Sequence, residues 1–373
     1  MIPFNKPSVI GTEQNAIEEA IKNGKLAGNG PFGNQCSNWL EKQTGSERAL
    51  LTPSCTAALE MAALLTDAQA GDEVIMPSYT FVSTANAFAL RGAHIRFVDI
   101  DPATMNISPE KIKEAITANT AAIVVVHYAG VSCDMNAIMD IANAHQLWVV
   151  EDAAQALMCT YKNKPLGTIG HFGTISFHET KNYVCGEGGA LLINDAEHVE
   201  RAEILQEKGT NRKLFAKGMV DKYTWRDIGS SYLLSELNAA YLSVQLEHAK
   251  EITNRRMEIW TTYHKELQPL EDAGLVSLPT VPGDCVHNAH LFYIKTSERT
   301  QLMEYLKNNG VTAVSHYEPL HNSHAGLLYG RFSGEDTSTT EESEKLLRLP
   351  LYYNMEEEDV DEVIKTIFSY YQS

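Results

Sequence analysis

The residue types best suited to chemistry in this chain lie in one stretch, residues 151–189. A hydrophobic run at residues 147–150 ends in Glu151 and Asp152, and Lys181 follows before a cluster of glycines. Such a run is typical of a buried parallel strand, and the carboxyl ends of these strands face the ligand crevice of open α/β sheets. An acid and an amine placed there can hold and transfer protons. The alternative is an ordinary helix cap and a solvated surface lysine.

One cofactor that needs such a pair is pyridoxal phosphate. Enzymes that use it require a lysine amine for its covalent attachment and commonly an acid that faces the pyridinium nitrogen. Lys181 and Asp152 have the required chemistry, and we predict them as the catalytic residues. Their spacing alone does not separate this hypothesis from the helix cap and surface lysine.

A series of short motifs carries a resemblance to a known family. In order, they are Glu151-Asp152-Ala153-Ala154-Gln155, residues 167–170, Ser176-Phe177-His178, Lys181-Asn182 and Gly186-Glu187-Gly188-Gly189. The series resembles the signature of the DegT/DnrJ/EryC1/StrS aminotransferases, and the likeness extends over essentially all 373 residues. The resemblance implies an α/β protein of the fold type I, aspartate aminotransferase-like class, with pyridoxal 5'-phosphate as cofactor and pyridoxamine 5'-phosphate as its intermediate form.

A turn at residues 54–56 precedes an apolar, helix-like segment. Backbone N–H groups at a helix N-terminus bind phosphate well, although an ordinary N-cap is the simpler interpretation. The resemblance implies that this turn and Ser176 hold the cofactor phosphate, that Phe81 stacks on its ring, and that Gln155 binds its ring oxygen. The cofactor-binding residues predicted in addition to Asp152 and Lys181 are therefore Ser54, Cys55, Thr56, Phe81, Gln155, Ser176 and Ser231.

Residues 229–233 depart from the family pattern. Many members have Gly-Tyr-Asn-Tyr-Arg there and use the asparagine on the partner subunit's cofactor phosphate, whereas this chain has Gly-Ser-Ser-Tyr-Leu. Ser231 can still donate one hydrogen bond, but the missing arginine leaves open how charged parts of the substrate are held. Possible replacements, which are alternatively plain surface charges, are Arg212, Lys222 and Arg226. Resemblance also suggests sugar contacts by Tyr223, Tyr317 and His321.

The likeness implies a reaction on a nucleotide sugar. We expect the amino group of L-glutamate to move to C4 of dTDP-4-keto-6-deoxyglucose, which gives the 4-amino sugar with galacto configuration. The gluco epimer is the alternative product. Sugar dehydratases of the same fold carry histidine where this chain has Lys181, which argues against that activity. A non-catalytic regulator would not need the lysine, the acid and the stacking ring together.

Composition limits the other classes of function. The formal charge of −18 argues against a nucleic-acid surface, because phosphate backbones are bound through clustered lysine and arginine. No apolar run reaches the roughly 18 residues of a membrane helix, and residues 1–7 lack secretory-signal features. Six scattered cysteines form no CxxC pair, so we predict neither a zinc site nor disulfides. We expect a cytoplasmic homodimer whose partners are small molecules.

Strand-like and helix-like segments alternate along the first part of the chain. This alternation favours a mainly parallel sheet covered by helices, in a large domain at residues 1–250. A long helix then leads into a smaller α+β domain at residues 251–373. Its predicted elements are strands at residues 289–295 and 311–316, and helices at residues 301–308, 339–347 and 360–370.

Overall fold

The strands of the protein form one large sheet and two small ones. The computed structural model describes residues 1–216 and 218–372. The strands are β1 (Arg48–Thr52), β2 (Glu73–Pro77), β3 (His94–Val98), β4 (Thr120–Val126), β5 (Trp148–Asp152), β6 (Thr160–Tyr161), β7 (Lys164–Pro165), β8 (Phe172–Ser176), β9 (Gly189–Ile193), β10 (Cys285–Val286), β11 (Phe292–Lys295), β12 (Gly330–Phe332) and β13 (Leu346–Leu349).

The helices pack around these sheets. They are α1 (Glu13–Lys22), α2 (Pro31–Thr44), α3 (Cys55–Leu65), α4 (Val82–Ala89), α5 (Pro109–Ala115), α6 (Met135–His145), α7 (Val199–Gln206), α8 (Arg212–Ala216), α9 (Glu236–Glu247), α10 (Ala249–Asp272), α11 (Arg299–Asn308), α12 (His324–Tyr329), α13 (Thr339–Lys345) and α14 (Glu357–Gln372).

The large sheet has the order β1-β9-β8-β5-β4-β2-β3-β12 in the described part of the chain. Its pairs from β8 to β12 are parallel, whereas β9 pairs antiparallel with both β1 and β8. The central strands are apolar along their length because helices cover both faces of the sheet. This is the α/β architecture that the sequence predicts.

Alternation along the strands sends side chains to two separate cores. Ile123 and Val149 belong to the core under α2, α6 and α9, whereas Val124 and Val150 belong to the core under α3, α4 and α7. Successive strand residues point to opposite faces. The last two residues of β5, Glu151 and Asp152, therefore point to opposite sides of the sheet.

A third core lies in the C-terminal part of the chain. One face of α10 packs with α11, α14, β11 and β13 around residues such as Tyr263, Phe292 and Leu347. The predicted boundary at residue 250 falls in the first turn of α10. Beyond that boundary, β12 returns to the large sheet and pairs with β3 as its edge strand.

Two predicted elements of the C-terminal part differ from the structure. Residues 311–316 form only isolated bridges, Ile2 with Val311 and Val314 with Arg348, instead of a continuous strand. The helix predicted at residues 339–347 ends at Lys345, and Leu346 begins β13. Strand pairing accounts for this early end, because Leu346 to Leu349 form an antiparallel ladder with Phe292 to Lys295 of β11.

The N-terminal segment connects the two parts of the molecule. Ile2 exchanges backbone hydrogen bonds with Gly310 and Thr312. Farther along, the Ser8 hydroxyl donates to the carbonyl of Asn182, next to Lys181. No described helix has both the length and the apolar character that crossing a bilayer requires.

Candidate active site

A cavity of about 530 Å³ lies at the carboxyl ends of the parallel strands, between the large sheet and the C-terminal part of the chain. This volume is in the range of sites for small molecules. Most of the residues predicted from sequence line it, although they come from distant segments. They are Ser54, Cys55, Thr56, Phe81, Asp152, Gln155, Ser176, Lys181 and Tyr317.

Asp152 is the last residue of β5 and is 5 % exposed. One carboxylate oxygen accepts a hydrogen bond of 2.7 Å from the Thr84 hydroxyl, and the other accepts one of 3.2 Å from the Ala154 N–H. Burial raises the pKa of Asp152, and these two hydrogen bonds and the nearby Lys181 charge oppose that rise. A carboxylate can accept about four hydrogen bonds, so capacity remains on the side that faces the cavity.

Glu151 precedes Asp152 and has the opposite environment. Its carboxylate accepts hydrogen bonds of 2.6–2.8 Å from the N–H groups of Gly167, Ile169 and Gly170 and contacts His127 Nε2 at 2.8 Å. All of these partners lie on the side of the sheet away from the cavity. Glu151 therefore fixes the loop before β8 and leaves no free acceptor for a ligand.

His127 completes the support for Glu151. The N–H of Cys133 donates to His127 Nδ1 at 3.2 Å, so that nitrogen is an acceptor. The imidazole proton then resides on Nε2 and is donated to Glu151. The neighbour of the cavity acid is thus held in a fixed position from two directions.

Lys181 lies in the loop between β8 and β9. Its amine faces the cavity and has no hydrogen-bond partner among the residues that the structure describes. Burial lowers the pKa of Lys181, and the charge of Arg348 lowers it further, while Cys55 and Asp152 act in the opposite direction. A lysine with a lowered pKa is more often a neutral amine, the form that acts as nucleophile or base.

The turn at residues 54–56 forms the start of α3. The Ser54 hydroxyl caps the helix by accepting a hydrogen bond from the Ala57 N–H at 3.1 Å. That hydroxyl therefore serves the N-cap, as in the simpler sequence interpretation. The N–H groups of Cys55 and Thr56 have no acceptor within the helix and remain available for an anion.

Two neighbours shape this helix start. The Thr56 hydroxyl lies 2.7 Å from the Ser83 hydroxyl, which adds a second polar group to the cavity wall. Gly189, at the start of β9, passes so close that a Cβ there would lie 2.4 Å from the Cys55 nitrogen. Only glycine permits this approach, which explains its place at the end of the glycine cluster.

Phe81 and Ser176 line other parts of the cavity. Phe81 is the N-cap residue of α4 and is 55 % exposed, so one face of its ring is open. Ser176 ends β8, and its hydroxyl oxygen lies 3.4 Å from the His178 N–H. Both positions fit the roles predicted for them, stacking on a ring for Phe81 and contact with a phosphate for Ser176.

Gln155 and Tyr317 meet across the cavity. The Gln155 amide oxygen accepts a hydrogen bond of 2.7 Å from the Ala129 N–H, and its nitrogen donates one of 3.1 Å to the Tyr317 hydroxyl. Tyr317 has a positive φ of 26° and stacks on His316 with a centroid distance of 3.6 Å. Positive φ in a bulky residue is rare and is found mainly at functional sites.

Three residues predicted as site residues do not line the cavity of the same chain. His321 contacts Ser78 at 2.6 Å through Nδ1 and Asp336 at 3.2 Å through Nε2, and both ring nitrogens are therefore engaged away from the cavity. Tyr223 is 55 % exposed on the surface. Ser231 is also exposed and forms an isolated bridge with Glu207.

Several residues in or beside the cavity escape the sequence analysis. Thr84 lies one helical turn after Phe81, so the spacing along α4 contained a signal for it. His316 and Arg348 come from the C-terminal part of the chain, more than 130 residues beyond Lys181. The only local sign of Arg348 is a charge within the apolar run Leu346-Leu347-Arg348-Leu349.

The residues present fit the predicted cofactor. A buried acid with spare acceptor capacity, an amine without a partner and free N–H groups at a helix start all face one cavity. They match a pyridine nitrogen, an aldehyde carbon and a phosphate, respectively. The same cavity holds an aromatic ring with an open face, Phe81, which suits stacking against a flat heterocycle.

Comparison with known proteins agrees with this chemistry. The model of the DegT/DnrJ/EryC1/StrS aminotransferase family matches residues 7–368. The spore coat polysaccharide biosynthesis protein SpsC of Bacillus subtilis is 33 % identical over 377 residues, which cover 98 % of this chain and 96 % of SpsC.

Two solved structures share the fold of this chain over nearly their whole length. The aminotransferase TlmJ from Streptoalloteichus hindustanus superposes with a TM-score of 0.90 at 30 % identity, covering 99 % of this chain and 98 % of TlmJ. DesV of S. venezuelae has a TM-score of 0.90 at 27 % identity, covering 100 % of this chain and 99 % of DesV. The fold is therefore shared over whole chains.

Proposed function

Since the chain belongs to the DegT/DnrJ/EryC1/StrS aminotransferase family, we propose that it aminates C4 of a nucleotide-linked keto sugar. The amino donor is L-glutamate and the acceptor is dTDP-4-keto-6-deoxy-D-glucose. The products are 2-oxoglutarate and dTDP-4-amino-4,6-dideoxy-D-galactose. The gluco epimer is the alternative product, because the face of the sugar that receives the proton at C4 decides the configuration.

Membership of this family makes the chain a pyridoxal phosphate-dependent aminotransferase that acts on sugars. The cofactor supplies an electron sink that stabilises negative charge at the carbon that loses its proton. In our proposal the N–H groups of Cys55 and Thr56, with Ser176, hold its phosphate, and Phe81 and Gln155 hold its ring. Lys181 attaches it covalently.

The observation that carries the proposal is that Asp152 and Lys181 face one cavity, one as an acid with spare acceptor capacity and the other as an amine without a partner. Asp152 keeps a proton on the ring nitrogen by placing its negative charge beside it. Thr84 and Ala154 orient the carboxylate through the hydrogen bonds at 2.7 and 3.2 Å. Because the site is buried, this charge acts with little screening by water.

Lys181 moves the protons. Its amine takes a proton from the Cα atom of the amino donor in the first half of the reaction. In the second half it delivers a proton to C4 of the sugar. The lowered pKa of Lys181, caused mainly by burial, keeps the amine in the neutral form that the first step requires.

One relative supports a polysaccharide pathway as the setting: SpsC of Bacillus subtilis is a spore coat polysaccharide biosynthesis protein. We propose that this chain serves the synthesis of surface polysaccharide, such as O-antigen, in the cytoplasm. We further propose a homodimer in which Tyr223 and Ser231, both exposed on one subunit, reach the partner subunit's site.

The test is a direct assay with both substrates. Purified protein with pyridoxal phosphate, L-glutamate and dTDP-4-keto-6-deoxyglucose should produce 2-oxoglutarate and an amino sugar in equal amounts. Proton NMR couplings around the sugar ring report the configuration at C4, and we expect galacto. A gluco spectrum would establish the epimeric product. Absence of 2-oxoglutarate with this sugar and its nucleotide variants would refute the proposal.

A further inference from the structure

Arg348 lies on the wall of the cavity opposite the large sheet. It belongs to β13, where it pairs with Tyr293 of β11. Its neighbours Leu347 and Leu349 point into the C-terminal core, whereas Leu346 packs with tyrosines beside the cavity. Alternation along the strand therefore places Arg348 on the cavity side.

The guanidinium of Arg348 has an incomplete set of partners. Nη2 donates a 3.0 Å hydrogen bond to the carbonyl of Ser315, and the ring of Phe4 lies 4.7 Å from Cζ. The Nε atom is buried without an acceptor. Within the described residues, no carboxylate lies at ion-pair distance from Arg348. A half-buried cation without an acidic partner is available to an anionic ligand.

Three other arginines also have a buried Nε without a hydrogen bond, and comparison with them shows what distinguishes Arg348. Those of Arg48 and Arg96 lie 3.3 and 3.6 Å from glutamate oxygens. Arg299 also has an unbonded Nε, and its Nη1 donates to the carbonyl of Ser343 at 3.0 Å, but it does not line the cavity. Arg299 is therefore a natural control for Arg348.

The charges around the cavity favour an anionic ligand group near Arg348. Lys181 and Arg348 are the only lysine and arginine among the described residues that line it. Lys181 is committed to the cofactor in the proposed function. Residues 229–233, where many family members have an arginine, contain none in this chain. A planar guanidinium with several free donors matches a carboxylate, which it can bind through two parallel hydrogen bonds.

We propose that Arg348 is the residue that recognises a carboxylate of the amino donor, and thus a specificity residue for the first half-reaction. The inference rests on the proposed function, in which the donor is L-glutamate. The guanidinium binds the carboxylate beside Phe4, while the amino group of the donor points to Lys181. The keto acid product leaves from the same contact.

The experiment measures binding of glutarate, an unreactive dicarboxylate, by calorimetry with the cofactor-loaded protein. We expect R348Q to weaken glutarate binding on the order of 10- to 100-fold, because a charge-assisted contact is lost. R348K should recover part of the affinity, and R299Q should bind glutarate like the original protein. In steady-state assays, R348Q should raise KM for L-glutamate far more than it lowers kcat.

Thermal unfolding of the same variants separates recognition from a structural role. R348Q should unfold at about the same temperature as the original protein, since the charge it removes has no acidic partner in the described residues, and glutarate should no longer raise that temperature. Unchanged glutarate affinity in R348Q would overturn the inference. Loss of affinity for dTDP instead of glutarate would also overturn it, and would assign Arg348 to the sugar diphosphate.

The two proposals fail in different ways. Protein that uses L-glutamate equally well with and without Arg348 contradicts the inference alone. Protein that binds glutarate through Arg348 and releases 2-oxoglutarate from L-glutamate, yet aminates no nucleotide sugar, contradicts the proposed acceptor alone.

Discussion

The two sides of the sheet at the end of β5 treat neighbouring acids in opposite ways. Glu151, on the core side, is 0 % exposed and contacts four hydrogen-bond partners, which include three backbone N–H groups. Asp152, on the cavity side, is nearly as buried and has two partners. Burial alone therefore does not identify a functional acid. What identifies it is acceptor capacity left open toward a cavity.

The same contrast separates two half-buried lysines. Lys213 places its amine 3.3 Å from Glu203 and 3.1 Å from Gln206, and it lies outside the cavity. Lys181 has no partner among the described residues and faces Asp152 across the cavity. A fully bonded charge stabilises the fold, whereas an incompletely bonded one is available to a ligand.

The largest effect is expected from the two lysines. Lys181→Ala removes both the attachment point and the base, so amino transfer should fall on the order of 10²- to 10⁴-fold or more. The visible absorbance of the lysine-bound cofactor should disappear with it. Lys213→Ala should keep both and lose about 1–3 kcal/mol of unfolding free energy, measured with urea. Amino transfer retained by Lys181→Ala would contradict the proposed difference between Lys181 and Lys213.

The adjacent acids provide a reciprocal test. Asp152→Asn should lower amino transfer on the order of 10²- to 10³-fold, because the charge that stabilises the reacting centre is lost, with little change in stability. Glu151→Gln should lower the free energy of unfolding by about 3 kcal/mol, since its amide nitrogen must face N–H donors. Urea denaturation and initial rates measure the two effects. If Asp152→Asn lost mainly stability and Glu151→Gln lost mainly activity, the proposed difference between the two acids would be wrong.

A smaller effect should follow from loss of one hydrogen bond to Asp152. Thr84→Val removes the 2.7 Å contact and should lower amino transfer about 10-fold, since a hydrogen bond to a charged group is lost. The pKa of Asp152 should rise because that contact lowers it. Thr80→Val is the control, since Thr80 contacts Thr84 and not Asp152. An equal loss in both variants would argue against a specific role of Thr84.

The smallest effect concerns pH and the cofactor-free protein. Burial raises the pKa of Asp152 in the folded state, so its charged form is less stable there than in the unfolded chain. Stability should therefore fall as pH rises from the usual aspartate pKa through the raised one. Asp152→Asn cannot ionise and therefore lacks this loss of stability, so at neutral pH it should be as stable as the original protein or more stable. Urea midpoints against pH measure the difference, and a less stable variant at neutral pH would contradict the sign.

Sequence was most informative where the motifs are local. Asp152, Gln155, Ser176 and Lys181 follow each other within one segment, and the predicted alternation of strands and helices corresponds to the mainly parallel sheet of the structure. The edge strand β12, from the C-terminal part of the chain, was not predicted. Sequence offered the N-cap at Ser54 as one interpretation, but it could not show that His321 is engaged by Ser78 and Asp336. Those contacts depend on partners whose position only the fold decides.

The C-terminal part was harder to predict for a physical reason. Residues 346–349 follow helical sequence directly, and the strand forms because pairing with β11 overrides the local helical tendency. Arg348 reaches the cavity only through that pairing. A residue whose role depends on contacts across 167 positions from Lys181 has no sequence pattern to reveal it.

The N-terminal segment has a consequence for the order in which the molecule folds. Ile2 pairs with Gly310 and Thr312, which lie more than 300 residues away along the chain. Contacts of such large separation form late and slowly. Phe4, which lies beside Arg348, therefore takes its place late in folding. The part of the cavity wall that Phe4 and Arg348 form is among the last parts of the site to be completed.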